Sequence, residues 1–162
     1  MRTIFINMIL SLLLLTFGLS IDTNDIYDNS WALIIGIDKY ENVQNLNYAV
    51  KDAESINDIL INTFDFPGDN VFLLKNKEAT KQNIIQAFSD ITKKAQERDR
   101  VVIYFAGHGK TMDLPEGGEM GYLLPVDGND DLFVSSIAMD DLKRISLMSK
   151  AKHLLYLIDA CY

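Results

Sequence analysis

The sequence predicts one α/β domain built on a mostly parallel β-sheet. From Trp31 onward, short apolar runs of strand length alternate with segments whose apolar residues recur at helical spacing, which is typical of consecutive βαβ units. The 162 residues are enough for a single domain, and an apolar content of 48% is enough for its core. This composition excludes wholesale disorder.

Four core strands are predicted from uncharged apolar runs, at residues 31–37, 71–74, 101–106 and 154–158. The first run is continuous apart from Gly36, as expected for a strand that is buried on both faces of a sheet. A short extended segment is predicted at residues 122–126, after a loop at residues 110–121 that is rich in Gly, Pro, Asp and Glu.

Helices connect these strands. The first is predicted from apolar residues that recur every three or four positions: Ala49, Ala53, Ile56, Leu60 and Phe64. The second begins after the N-cap residue Thr80 and has a similar apolar stripe: Ile84, Phe88, Ile91 and Ala95. A third is predicted at residues 137–148, with Met139, Leu142 and Ile145 facing inward.

Residues 1–20 are predicted to be a secretory signal. Arg2 precedes an uncharged apolar run at residues 8–17, and small residues follow that run at a plausible cleavage site. An uncleaved membrane anchor is the alternative, although the apolar stretch is shorter than the roughly 20 residues that a spanning helix needs. We therefore expect a linker at residues 21–29, a folded domain at residues 30–162, and a secreted or periplasmic location. Membrane contact is expected only through an uncleaved signal segment.

The charge balance is acidic, with 15 basic and 23 acidic side chains and a net charge of -8. A general nucleic-acid-binding protein gathers a surplus of Lys and Arg on one face to neutralise phosphates, and the sequence has no such cluster. We therefore expect no nucleic-acid partner. The single cysteine, Cys161, excludes an internal disulfide, so the core alone must stabilise an exported domain.

Two side chains with nucleophilic and acid-base chemistry follow predicted strands. His108 comes two residues after the third strand and Cys161 three residues after the fourth, at the sheet edge where parallel α/β proteins bind ligands. If these strands are neighbours, they lie about 4.8 Å apart and the two side chains can meet. His153 precedes the fourth strand and belongs to the opposite edge. The pattern favours a thiolate nucleophile with His108 as its proton acceptor, the alternative being a small buried thiol.

Glycines flank this histidine on both sides. Gly107 and Gly109 are predicted to form a turn after the third strand, because glycine adopts backbone conformations that project a neighbouring side chain. Such a turn also leaves backbone N–H groups free to stabilise a developing oxyanion.

A family resemblance covers residues 30–162. The segment YFAGHG at residues 104–109, followed by DAC at residues 159–161, resembles the caspase-like cysteine peptidases, in which the histidine lies about 50 residues before the cysteine. WALIIGIDKY at residues 31–40 and LNYAVKDA at residues 46–53 are similar to the opening strand and first helix of metacaspases and bacterial orthocaspases. The resemblance implies a caspase-like three-layer α/β fold that corresponds to the family's large-subunit region.

The resemblance also implies a cysteine endopeptidase with a Cys/His dyad. Cys161 would attack the scissile carbonyl, His108 would act as base and then as acid, and the N–H groups of Gly109 and Cys161 would bind the oxyanion. Caspases have Gln two residues before the nucleophile, whereas this chain has Asp159, as metacaspases have Asp. With Asp52, it is implied to line a pocket for Arg or Lys before the cut. Two carboxylates in a cleft attract such cations and repel acidic side chains.

No metal or cofactor is predicted to be required, and calcium is an open alternative. The acidic ligand positions of calcium-dependent metacaspases look similar to Asp127, Asp140 and Asp141, and carboxylates suit this hard cation. The family's further ligand position lies beyond the cysteine, and a helix N-terminus also accounts for acidic side chains.

The predicted partners are a polypeptide substrate and the family's C-terminal small-subunit region. Because the sequence ends just after a core strand, whose open edge proteins normally cover, we expect a chain that lacks this C-terminal portion. Two alternatives to an active peptidase are open. One is an inactive caspase-like module with an interaction or regulatory role, and the other is a flavodoxin-like ligand-binding domain that uses Asp38 after the first strand.

Overall fold

The structure is a computed structural model that describes residues 26–161, with the backbone alone at Cys161. The predicted signal segment at residues 1–20, residues 21–25 of the predicted linker and Tyr162 lie outside the described residues. In the part that is described, no helix is both long and apolar enough to cross a membrane.

Six β-strands and four α-helices form three layers in the described residues. The strands are β1 (Ser30–Gly36), β2 (Val71–Lys75), β3 (Arg100–Asp113), β4 (Glu119–Leu123), β5 (Ile137–Ala138) and β6 (His153–Cys161). The helices are α1 (Ala49–Asn62), α2 (Lys81–Lys94), α3 (Leu132–Ser135) and α4 (Met139–Met148). Helix α1 covers one face of the sheet, while α2 and α4 cover the other. The predicted α/β class with a mostly parallel sheet is confirmed.

The centre of the sheet is parallel. Strand β1 lies between β2 and β3, and β6 pairs with the far side of β3. Strand β4 runs antiparallel to the second half of β3, and β5 runs antiparallel to β4. The N–H of Ile37 donates to the Ala106 carbonyl, and that of Leu124 donates to the His108 carbonyl two residues further on. Carbonyl groups two residues apart in a strand point to the same side, so β1 and β4 lie on the same side of β3. Strand β1 pairs with the first half of β3 and β4 with the second half.

Strand β3 is longer than predicted. The prediction ended it at Ala106 and placed a turn at Gly107 and Gly109, and this turn is wrong because the chain stays extended to Asp113. The extension is stabilised by β4, which pairs with residues 109–113 where β1 no longer reaches. The chain reverses instead at Gly117 and Gly118, whose φ angles of 94° and 92° lie in the left-handed region that favours glycine.

The helices follow the predicted apolar stripes, with two differences at their ends. The Thr80 hydroxyl accepts a hydrogen bond from the Asn83 N–H at 3.2 Å, which confirms the predicted N-cap of α2. Helix α1 ends at Asn62, so Phe64 lies beyond the helix and is 48% exposed instead of buried. The predicted helix at residues 137–148 begins at Met139, because the two preceding residues pair with β4 as β5.

Packing between β1 and α1 leaves no room for a side chain at Gly36. A Cβ atom there would lie 2.6 Å from the Ala53 Cβ and 2.7 Å from the Ala49 carbonyl oxygen. We therefore expect Gly36→Ala to lower the free energy of unfolding by about 1–3 kcal/mol, measured by urea denaturation. Gly68→Ala is the matched control, since a Cβ atom at Gly68 would meet nothing within 4 Å. Equal stability of the two variants would contradict this account of the packing.

Candidate active site

The parallel register of β3 and β6 aligns the two predicted catalytic residues. His108 and Cys161 are Cα partners across these strands, so the two strands are neighbours and the condition for the pair to lie close together is met. Neighbouring strands lie about 4.8 Å apart. His153 pairs with Arg100 at the start of β3, so it lies at the opposite edge of the sheet, as predicted.

The His108 imidazole is held by a main-chain carbonyl. Its Nε2 atom lies 2.8 Å from the carbonyl oxygen of Gln44. A carbonyl oxygen only accepts hydrogen bonds, so Nε2 carries the proton and donates it. In the neutral ring Nδ1 is then the unprotonated nitrogen, and it is the atom that can accept a proton from a nucleophile.

The loop between β1 and α1 brings Gln44 to this position. Asp38 organises the loop: its N–H donates to the Asn76 side chain at 2.9 Å, and its carbonyl accepts from the Leu46 N–H at 2.8 Å. Its carboxylate accepts from the Ala49 N–H at 2.9 Å, where α1 begins. Asp38 therefore caps the N-terminus of α1. This structural role explains the presence of Asp38, to which the flavodoxin-like alternative assigned ligand binding.

The backbone of Gly109 faces the strand that carries the cysteine. The Leu124 N–H donates to the His108 carbonyl at 3.0 Å, which makes Gly109 and Leu123 a non-hydrogen-bonded pair of the antiparallel ladder. The N–H of Gly109 is consequently directed away from β4, to the side of β3 on which β6 lies. This direction follows from strand geometry and not from the predicted turn.

A cleft of about 240 Å³ opens beside His108. Its walls come from the start of α1 and the ends of β3 and β6: Leu46, Asn47, Tyr48, Ala49, Asp52, Ala106, Gly107, His108 and Asp159. The structure thus brings both predicted substrate-binding carboxylates into one cleft with the histidine. Burial raises the pKa of Tyr104, and the charges of Asp159 and Asp52 raise it further. The negative charges of Asp159 and Asp52 therefore both act on the Tyr104 hydroxyl.

A family model for the caspase domain matches residues 29–162 of the chain. The chain belongs to the caspase domain family. The resemblance to caspase-like peptidases is therefore confirmed, and the sheet between its two layers of helices is the core of a caspase domain.

Curated relatives place this caspase domain near the metacaspases. It is 27% identical over 144 residues to metacaspase-1 of Eremothecium gossypii, covering 83% of this chain and 32% of that protein. It is 30% identical over 149 residues to a probable protease of a Desulfuromonadales bacterium, covering 82% of this chain and 18% of that protein. The chain therefore spans a third or less of the length of these relatives.

A solved structure supports the fold. A protein from Geobacter sulfurreducens aligns with a TM-score of 0.69 at 21% sequence identity, over 82% of this chain and 50% of that one. This likeness agrees with the caspase-like architecture.

Two of the three acidic residues considered for calcium have other partners in this caspase domain. Asp127 accepts a hydrogen bond from the Lys81 N–H at 2.9 Å and so caps α2, and Asp141 pairs with Arg144 at 3.0 Å. Within residues 26–160, no group of three or more His, Cys, Asp or Glu side chains is placed to hold a metal ion. Asp127, Asp140 and Asp141 do not form a calcium site by themselves, and the calcium alternative stays a prediction.

Sequence reasoning missed two contributors to the site. Gln44 acts through a backbone carbonyl, which leaves no side-chain signature. Tyr40 places its hydroxyl oxygen 2.8 Å from the His108 N–H and its ring 4.9 Å from the imidazole, between ring centroids. The only signal for Tyr40 in the sequence is its position at the end of the segment WALIIGIDKY.

Burial raises the pKa of Tyr40 to about 12, while the hydrogen bond from the His108 N–H opposes this shift and the Asp38 charge adds to it. A pKa that is higher in the folded than in the unfolded chain stabilises the fold below the ordinary tyrosine value of about 10. That contribution is lost as the pH rises from 10 to 12. We expect the ultraviolet difference titration of the folded chain to contain a phenolate transition near pH 12, and we expect Tyr40→Phe to remove it. Identical titrations of the two proteins would contradict this assignment.

Proposed function

We propose that this caspase domain is the catalytic part of a cysteine endopeptidase that cuts peptide bonds after Arg or Lys. The observation that carries the proposal is the register of β3 and β6, in which His108 and Cys161 are direct backbone partners. Membership of the caspase domain family and the metacaspase relatives support the same reaction class.

The proposed reaction begins when Nδ1 of His108 takes the proton of the Cys161 thiol. The thiolate attacks the scissile carbonyl carbon, and the resulting oxyanion accepts hydrogen bonds from the N–H groups of Gly109 and Cys161. His108 then gives its proton to the leaving amine as the C–N bond breaks. Water attacks the thioester, His108 takes the water proton and returns it to the sulfur, and the new carboxyl terminus leaves. The Gln44 carbonyl stabilises the imidazolium that forms in each half of the cycle.

The cleft suggests how a basic side chain would be recognised. Asp52 on α1 and Asp159 on β6 approach it from two different elements, so a guanidinium or ammonium can contact both carboxylates. The apolar lining at Leu46, Ala49 and Ala106 suits the methylene groups of the same side chain. An acidic side chain would meet two like charges there, which opposes its binding.

The free face of β6 supports a polypeptide partner. Leu155 is 52% exposed and Leu157 is 40% exposed, and both line an apolar groove with Leu60, Phe64 and Phe66. Apolar side chains in such a groove normally pack against further polypeptide. We propose that the family's C-terminal small-subunit region covers this face.

Substitutions in the cleft test the specificity. We expect Asp52→Asn and Asp159→Asn each to lower kcat/KM for an Arg-containing peptide about tenfold or more, because each removes a charge-assisted hydrogen bond to the substrate cation. Asp58→Asn is the matched control, since Asp58 is an exposed carboxylate on the same helix that does not line the cleft. Equal rates with Arg-containing and Asp-containing peptides would contradict the proposed specificity.

Labelling of Cys161 separates the peptidase from the inactive-module alternative. An arginine chloromethylketone should modify the wild-type thiol rapidly, and His108→Ala should slow this modification at least a hundredfold, because the thiol loses its proton acceptor. Hydrolysis should be lost in Cys161→Ala. If the wild type is labelled as slowly as His108→Ala and does not cut Arg-containing peptides, the module explanation is favoured.

A further inference from the structure

We propose that Tyr40 is a positioning residue whose hydroxyl replaces a missing strand neighbour at His108 and holds the imidazole in its Nε2–H form. This inference rests on the proposed function, because it assigns His108 the acid-base role. It adds a residue that acts through the histidine and is not itself an acid or base in the reaction.

The hydroxyl occupies a gap in the sheet. On one side of β3, pairing with β1 ends where Ile37 donates to the Ala106 carbonyl, and pairing with β4 begins at Gly109. The His108 N–H points into the interval between these two neighbours. No strand within residues 26–161 accepts it there, and leaving an N–H unpaired away from water is costly. The Tyr40 hydroxyl accepts it at 2.8 Å.

Gly107 makes room for this contact. A Cβ atom at Gly107 would lie 2.5 Å from the Tyr40 hydroxyl oxygen and 3.0 Å from Cζ of Phe105. Tyr40 itself is only 9% exposed. The phenol is therefore enclosed, and its hydroxyl is placed against the main chain of β3 by the shape of the site.

Tyr40 also connects the histidine ring to the loop that holds it. Its ring packs against the imidazole at a centroid distance of 4.9 Å and an interplanar angle of 47°. Its backbone N–H donates to the Asn45 side chain at 2.9 Å, next to Gln44, whose carbonyl accepts the Nε2 proton. One residue thus ties the His108 main chain to the loop that fixes the His108 ring.

The chemistry of the phenol fits a positioning role. With its pKa raised to about 12 by burial, Tyr40 stays protonated at any pH at which the histidine transfers protons. Its lone pairs remain available to the His108 N–H, and it supplies no proton to the reaction. The effect of its loss should therefore be on the orientation and tautomer of the imidazole.

The test compares Tyr40→Phe with Tyr156→Phe in the 162-residue chain. Tyr156 is the matched control because its hydroxyl donates to the Leu142 carbonyl at 2.7 Å and accepts from Ser146 at 3.1 Å, away from the cleft. We expect Tyr40→Phe to lower kcat about tenfold with little change in KM, and to lower the Nε2–H share of the neutral His108 ring in nitrogen NMR. Tyr156→Phe should change neither quantity.

Several outcomes would overturn the proposal. One such outcome is a Tyr40→Phe variant whose His108 tautomer ratio equals that of the wild type. Another is an equal loss of kcat in Tyr40→Phe and Tyr156→Phe, which would indicate a general loss of stability. The NMR readout does not need turnover, so it tests Tyr40 even if the chain does not cut peptides, whereas slow labelling of Cys161 together with no cutting counts against the proposed function. Gly107→Ala supplies a second variant: its added methyl group should perturb the His108 ring less in the Tyr40→Phe background than in the wild type. Equal perturbation in both backgrounds would contradict the placement of the hydroxyl.

Discussion

The pairing of β3 with β6 is the interaction on which the site depends. Strand β3 runs the full depth of the sheet, and its far side is bonded to β6 from Arg100 to His108. This register sets His108 level with Cys161 without any contribution from a loop. Hydrogen-bonded ladders slip only in whole residue steps, and a shift by one residue would turn the side chains of β6 to the opposite face. The apolar residues that β6 packs against the core therefore fix the alignment of the two candidate catalytic residues.

A single loop serves both halves of the site. The chain between β1 and α1 supplies the Gln44 carbonyl to the His108 ring and Tyr48 to the cleft, and the first turn of α1, which follows directly, supplies Asp52. Asp38 stabilises the first residues of this loop through its backbone, and its carboxylate caps the N-terminus of α1, where the loop ends. The His108 ring and Asp52, one of the two carboxylates proposed to bind the substrate cation, are consequently positioned by one continuous segment, and a change in the loop should affect turnover and specificity together.

Much of this arrangement could be predicted from the sequence because it depends on local patterns. Uninterrupted apolar runs indicated the buried strands, and the position of Thr80 before an apolar stripe indicated the start of α2. The extension of β3 was missed because Gly107 and Gly109 are typical of turns, whereas the strand is maintained by a partner that follows later in the chain. Tyr40 and Gln44 were missed for a related reason: one fills a gap that exists only in the assembled sheet, and the other contributes a main-chain oxygen that every residue has.

The site works as proposed only if the His108 imidazole accepts the proton of the Cys161 thiol. Because the chain has one cysteine, the rate of alkylation by iodoacetamide reports on that thiol alone. The rate measured as a function of pH should reach half its maximum at a clearly lower pH in the wild type than in His108→Ala, since the imidazole favours the thiolate. Superimposable pH profiles for the two proteins would contradict the claim.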